Sequence, residues 1–289
     1  MSSNPKILYH YGSMSTLYSI TTHKTLRLSS MSQSNDSQEG RLVGDAIRRL
    51  QVRAGFTDDD MEKVNDLLAN LDGIIDGLAM CFSEKGDLLS QWRGYAQDAS
   101  GVSIGFSTDY LYEMFDDQNG IEKPGLLKVA YGDSEHDSRL AHRLPVLERA
   151  IARLKVVNQE HKNHLIQAST AHIKKVNDAE ELVSISTMAV MLAMFILKGD
   201  AFREEREWRV LNLLVQKDAT EGETRCQWKV DTDKLIPFRD FSIAEGFEES
   251  IKEVYLGPKN RTPPAVLRDY LSQIGLANVK VIPSTATYR

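Results

Sequence analysis

From Ser138 to about Lys198 the only helix-breaking residue is Pro145, near the start of the run, and no glycine occurs. On both sides of this block the chain reads as short apolar strands separated by turn residues. Before it come Lys6–Tyr11, Thr25–Ser29, Ala79–Ser83, Gly101–Phe106 and Leu126–Tyr131. After it come Trp208–Val215, Gln227–Val230, Glu253–Leu256 and Lys280–Ile282. Tidy alternation of strand and helix is missing, which favours α+β over a doubly wound parallel sheet. The expectation is a split mixed β-sheet with a helical insertion. The chain then divides into 1–137 and 199–289, two parts of one core, with the insertion at 138–198. At least two long helices are expected there, turning near Asn177–Asp178.

Further helices are expected at Glu39–Ala54, Thr57–Leu78, Leu88–Tyr95 and Pro264–Ile274, and a short one capped by Ser13 or Ser15. Met188–Leu197 (MAVMLAMFIL) is the most apolar stretch. It is about half the ~20 residues that cross a bilayer, so it reads as a buried helix and no membrane partner is expected.

The 289 residues carry 35 basic and 41 acidic side chains, a net charge of −6. Such a chain has no global footprint for phosphate backbones or anionic membranes, although a local basic cleft is compatible with it. Cys81 and Cys226 are isolated, which suits neither a zinc site nor a disulfide framework. The polar N-terminus lacks the apolar core of a signal peptide, and a cytoplasmic location is expected. His161, His164 and His172 have spacings that would let a helix face hold a metal, but Lys162, Lys174 and Lys175 around them favour a solvated face.

P-loop, dinucleotide-binding, nucleophile-elbow, zincin and zinc-deaminase motifs are all absent. Polar–aromatic clusters stand out instead. Tyr9-His10-Tyr11 ends the first strand before Gly12. Asn35-Asp36 with Glu39 lies in a polar loop. Cys81-Phe82-Ser83 is followed by Trp92, Tyr95 and Gly101. Glu204-Glu205-Arg206-Glu207-Trp208-Arg209 leads into an apolar strand. Strand alternation puts Glu207 and Arg209 on one face and Trp208 on the other. The clusters are expected to converge on one cleft. A core histidine and an edge of weak ion pairs are the plainer readings of His10 and of 203–209.

The order of these clusters resembles the DUF2971 family of bacterial proteins. The matching motifs are LYHY at 8–11, LRLS at 26–29, ND at 35–36, CFS at 81–83 and WRGY at 92–95. They continue with GVSIGF at 101–106, FREEREWR at 202–209, LGPK at 256–259 and IPS at 282–284. Ser37-Gln38 stands where that family usually has Pro-Phe.

The opening strand, turn, short helix and strand also resemble ADP-ribosyltransferases. That likeness implies a sheet of their type and NAD as substrate. It implies a protein or nucleic-acid acceptor and a role as toxin or antiphage effector. It implies His10 on the NAD ribose, Tyr95 or Trp92 on the nicotinamide, and Glu207 as the catalytic glutamate. Arg27 and Arg93 are candidates for the pyrophosphate, and Tyr11, Ser83 and Arg209 complete the expected binding set. A metal-dependent nuclease using Asp36, Glu39 and Glu207 is one alternative. A non-catalytic nucleotide-binding sensor or adaptor is the other.

Overall fold

One strand, β3 (Ile75–Ser83), organises the sheet because its two edges are used differently. Along one edge it pairs over its whole length with antiparallel β8 (Glu207–Val215), from Ile75–Val215 to Ser83–Glu207. The other edge is shared. β1 (Ile7–Gly12) meets it at Tyr9–Ser83, and β2 (Thr25–Ser30) meets it at Ser29–Ala79 and Ser30–Leu78. Between these contacts, along Met80–Phe82, the sheet is split. The structure is a computed structural model and describes residues 5–32, 42, 45–46, 48–49, 75–115, 123–163, 170–215, 226–231 and 233–287.

From β1 the sheet continues through β4 (Val102–Ser107) and β11 (Ile251–Leu256) to β12 (Lys280–Pro283). From β2 it continues through β10 (Lys234–Ser242) to β9 (Gln227–Asp231). β5 (Gly125–Lys128) lies on the free edge of β8. β6 (Ala130–Tyr131) and β7 (Leu197–Lys198) form a separate parallel ladder. Among the described strands only β11–β12 and β6–β7 pair in parallel. The fold is α+β, with a mostly antiparallel mixed sheet.

The helices are α1 (Met14–His23), α2 (Leu89–Tyr95), α3 (Thr108–Met114), α4 (Gly132–Ala141), α5 (Leu144–Asn163), α6 (Thr170–Met191) and α7 (Pro264–Gln273). Ser13 caps α1 by accepting from the Thr16 amide at 3.0 Å, the role its place before the apolar run suggests. Alternation along β3 feeds two cores. Leu78, Met80 and Phe82 join Leu8, Ile104, Phe106 and Val254 on one face. Ile75 and Ala79 join Leu127, Leu211 and the inner sides of α4, α5 and α6 on the other. Burial on both faces is why apolar residues occupy both alternating sets of β3 and β8.

Several expectations are corrected. β3 begins at Ile75, inside the helix expected over Thr57–Leu78. Apolar residues at 74, 75 and 78 satisfy a helical period and a doubly buried strand alike. α6 runs unbroken through Asn177–Asp178, so the change from α5 to α6 falls between Asn163 and Thr170 instead. The apolar run Met188–Leu197 is helical only to Met191; a 3-10 turn (Leu192–Phe195) then leads into β7. β10 was not expected at all, because Pro237 interrupts its pattern. The proline pairs with Trp228 of β9, one residue before the ladder to β2 starts at Phe238, where its missing N–H is tolerated. Within the expected helix Glu39–Ala54, Leu42, Asp45, Ala46, Arg48 and Arg49 are helical, and its other residues lie outside the described set. Among the described residues no helix is long and apolar enough to cross a membrane.

Candidate active site

The split in the sheet borders a small cleft of about 50 Å³ lined by His10, Tyr11, Cys81, Phe82, Gln91, Tyr95, Glu205 and Glu207. His10 stands one residue past the Tyr9–Ser83 contact, where β1 has parted from β3. Its imidazole closes the gap: Nδ1 lies 2.9 Å from the Cys81 carbonyl oxygen. A carbonyl only accepts, so Nδ1 carries the proton and Nε2 keeps its lone pair. Desolvation lowers the His10 pKa, and the bond to Cys81 offsets this only in part, so the ring is neutral near pH 7.

The acidic side of the cleft comes from the entry to β8. The 3-10 segment Asp200–Glu205 ends at Arg206, whose left-handed backbone (φ 44°) turns the chain into the strand. The Ser83 hydroxyl donates to the Glu205 carbonyl at 2.7 Å and locks this corner. Across the ladder Ser83 faces Glu207 and Cys81 faces Arg209, all on one face, while Phe82 and Trp208 turn to the opposite core.

Glu207 is 6% exposed and Arg209 2%. Arg209 Nε donates to Glu207 Oε1 at 2.7 Å, and Nη2 donates to Oε2 at 3.1 Å. Lys198 Nζ donates to Glu207 Oε2 at 3.1 Å and to Glu205 Oε2 at 2.7 Å. The Cys81 thiol is on the same face, opposite Arg209 on the ladder. Burial alone would raise the Glu207 pKa, but Arg209, Lys198 and the Cys81 thiol outweigh it and hold the group at about 2. For Lys198 burial pulls down, yet Glu207 and Glu205 raise it above its ordinary range. Burial pushes Glu205 above the usual carboxylate range, with Lys198 working against it. Burial and Glu207 keep Cys81 a neutral thiol. Tyr95, about half exposed at the cleft, is raised from its ordinary 10 and is a phenol at neutral pH.

Lys198 reaches this point because β7 pairs with β6, Tyr131 opposite Lys198. The Tyr131 hydroxyl in turn accepts from the Glu207 amide at 2.8 Å. Arg209 Nη1 ties the same face to the Phe195 carbonyl at 2.6 Å, after the last turn of the helical block.

Of the candidates read from the sequence, His10, Tyr11, Tyr95 and Glu207 line the cleft. Arg209 lies beneath it, bonded to Glu207. Ser83 braces Glu205 from behind. Trp92 is fully buried, edge-on to Tyr11 with ring centres 4.9 Å apart, and its Nε1 donates to Asp87 at 2.7 Å. Its place is under the wall, so of the two rings expected on the nicotinamide only Tyr95 borders the cleft. Arg27 makes a bidentate pair with Asp240, both bonds 2.8 Å, and its guanidinium lies over Phe238. Arg93 is on the exposed side of α2 and does not line the cleft. Asn35, Asp36 and Glu39 lie outside the described residues, as does His164. Among the described residues no group of three or more His, Cys, Asp or Glu could hold a metal.

Lys198 and Gln91 were not singled out from the sequence, and Cys81 and Glu205 stood within the expected clusters without a role of their own. Glu205 had one signal, its E-x-E spacing with Glu207. Lys198 ends an apolar run as a lone charge, a pattern that reads equally well as a solvated helix end.

Residues 91–210 match the family model described as "Protein of unknown function (DUF2971)". The DUF2971 resemblance read from the motifs is shown over that span, which includes Gln91, Tyr95, Lys198, Glu205, Glu207 and Arg209. His10 and Cys81 precede it. Comparisons with curated proteins and with solved structures found no match.

Proposed function

We propose that this protein is an ADP-ribosyltransferase-like enzyme that cleaves NAD and passes ADP-ribose to a macromolecular acceptor, a chemistry suited to a toxin or antiphage effector. One observation carries the reading. A neutral histidine, an aromatic ring and two carboxylates line a single cleft at a split in the sheet. Breaking the glycosidic bond of NAD develops positive charge at the ribose, which a carboxylate in a dry site stabilises. His10 Nε2 is an acceptor for a ribose hydroxyl. Tyr95 offers a face to the cationic nicotinamide.

The nuclease alternative is disfavoured because Glu207 has no oxygen to spare: Arg209 holds Oε1, and Arg209 and Lys198 share Oε2. The same commitment of Glu207 favours one second reading, a sensor that binds NAD without turning it over.

The test is purified protein with NAD, followed by thermal melting and by nicotinamide release. A raised Tm with release supports the transferase, and a raised Tm alone supports the sensor. No change in Tm and no nicotinamide removes NAD as the ligand.

A further inference from the structure

We propose that Glu205, rather than Glu207, is the carboxylate that meets the substrate, and that Glu207 with Arg209 and Lys198 is the fixed support that aims it. The proposal rests on the transferase reading above. Both glutamates line the cleft, and both are nearly buried, so exposure does not separate them. Occupancy does. Glu207 Oε1 holds Arg209 Nε, and Oε2 holds Arg209 Nη2 and Lys198 Nζ. A carboxylate so saturated has little capacity left for a ligand hydroxyl. Glu205 uses Oε2 for Lys198, while its Oε1 has no hydrogen bond among the described residues.

Support comes from the backbone. Ser83 pins the Glu205 carbonyl at 2.7 Å, and left-handed Arg206 sets the direction of the corner. Lys198 is shared by the two carboxylates, so Glu207 fixes where the ammonium sits and thereby where Glu205 can point. Glu205 is therefore preorganised by a side chain that does not itself react. The four charges, Glu205, Glu207, Lys198 and Arg209, sum to zero, and a cation developing in the cleft meets no net positive field.

The step balances as follows. The ribose C1′–nitrogen bond breaks and its electron pair leaves with nicotinamide, which departs neutral. A hydroxyl of the acceptor, or water, forms the new C1′–oxygen bond. Its proton passes to Glu205, which entered as the carboxylate.

Three variants decide it: Glu205→Gln, Glu205→Asp and Glu207→Gln, each assayed for Tm, NAD binding and nicotinamide release across pH. Glu205→Gln is expected to keep its Tm within about 2 °C, to bind NAD within a few-fold, and to lose release by about 100-fold or more. It should also lose the rise of kcat/KM with pH, which in the parent protein comes from ionising Glu205. Glu207→Gln is expected to melt markedly lower and, assayed where it is folded, to keep release within about tenfold. Release by Glu205→Gln within threefold of the parent, or an acid limb that survives in it, overturns the proposal while leaving the transferase reading intact. If Glu205→Gln does not fold, Glu205→Asp decides: it keeps the charge on Lys198, and an unchanged rate overturns the proposal. A parent protein that neither binds NAD nor releases nicotinamide removes the transferase reading and this proposal with it.

Discussion

Glu207 and Arg209 are two positions apart on β8, and both are buried, yet they form a bidentate pair with bonds of 2.7 and 3.1 Å. Strand period puts both side chains on one face. The helical block covers that face, so neither charge has water as an alternative partner. Removing one partner strands the other. Arg209→Met or Glu207→Gln should each cost about 3–5 kcal/mol. For a chain of this size that lowers Tm by roughly 10 °C. The double variant should lose clearly less than the sum, and additive losses in a double-mutant cycle would show that the pair is not coupled.

Acid should destabilise the protein in two windows. His10 is held below its ordinary 6.5 by desolvation, so the unfolded chain takes up this proton first. Its contribution is present above about pH 6.5 and is lost as pH falls below that. Glu207 sits at about 2 against an ordinary 4.5, so its contribution is present above 4.5 and is lost between 4.5 and 2. Glu205 is raised and runs the other way, becoming less unfavourable as pH falls. Melting curves from pH 8 to 3 should therefore slope gently below 6.5 and steeply below 4.5. His10→Gln should flatten the first part and Glu207→Gln the second. Unchanged slopes in both variants would contradict these assignments.

The glycines make a contrast that needs no knowledge of function. A Cβ at Gly101 would lie 2.1 Å from the Gly12 carbonyl oxygen, and one at Gly257 would lie 2.4 Å from the Ala99 carbonyl oxygen. Backbone cannot yield as a side chain tip can. Gly101→Ala and Gly257→Ala should each lose several kcal/mol or fail to fold. Gly94 lies inside α2, and a Cβ there would meet nothing within 4 Å. Gly94→Ala should be neutral or stabilise by about 0.5–1 kcal/mol. Urea titration of the three variants checks the order.

Asp87 ties the far end of the described chain to the wall of the cleft. It accepts from Trp92 Nε1 at 2.7 Å, from the Thr285 amide at 2.8 Å and from the Thr285 hydroxyl at 3.0 Å, and it also bonds Ser284 Oγ. Asp87→Ala leaves the buried indole N–H unpaired and should cost about 1–3 kcal/mol. Limited proteolysis just after Ser284 should become faster, since the Asp87 bonds to Ser284 and Thr285 are lost and the Ser284 amide bond to the Leu256 carbonyl is left as the last backbone tie. An unchanged cleavage rate would mean that Asp87 does not anchor it.

Local signals in the sequence were enough for much of this. The Ser13 cap, the strand at Val102–Ser107, the proline-started α7 and the facing of Glu207 and Arg209 all follow from periods and caps that act within a few residues. The choice of strand over helix at Ile75–Leu78 and the acceptance of Pro237 inside β10 depend on which neighbours arrive, information no local window holds. The site divides in the same way. His10, Tyr95 and Glu207 are conspicuous as residues beside aromatics or at a strand entry. Only the tertiary structure decides that Trp92 is buried while Tyr95 borders the cleft, that Arg27 belongs to Asp240, and that Lys198 is shared by Glu205 and Glu207. The reason is physical. Burial and charge pairing are set by groups far away in the chain: Lys198 reaches the carboxylates through β7 and β6, and the cleft exists because β1 and β2 part from the same edge of β3.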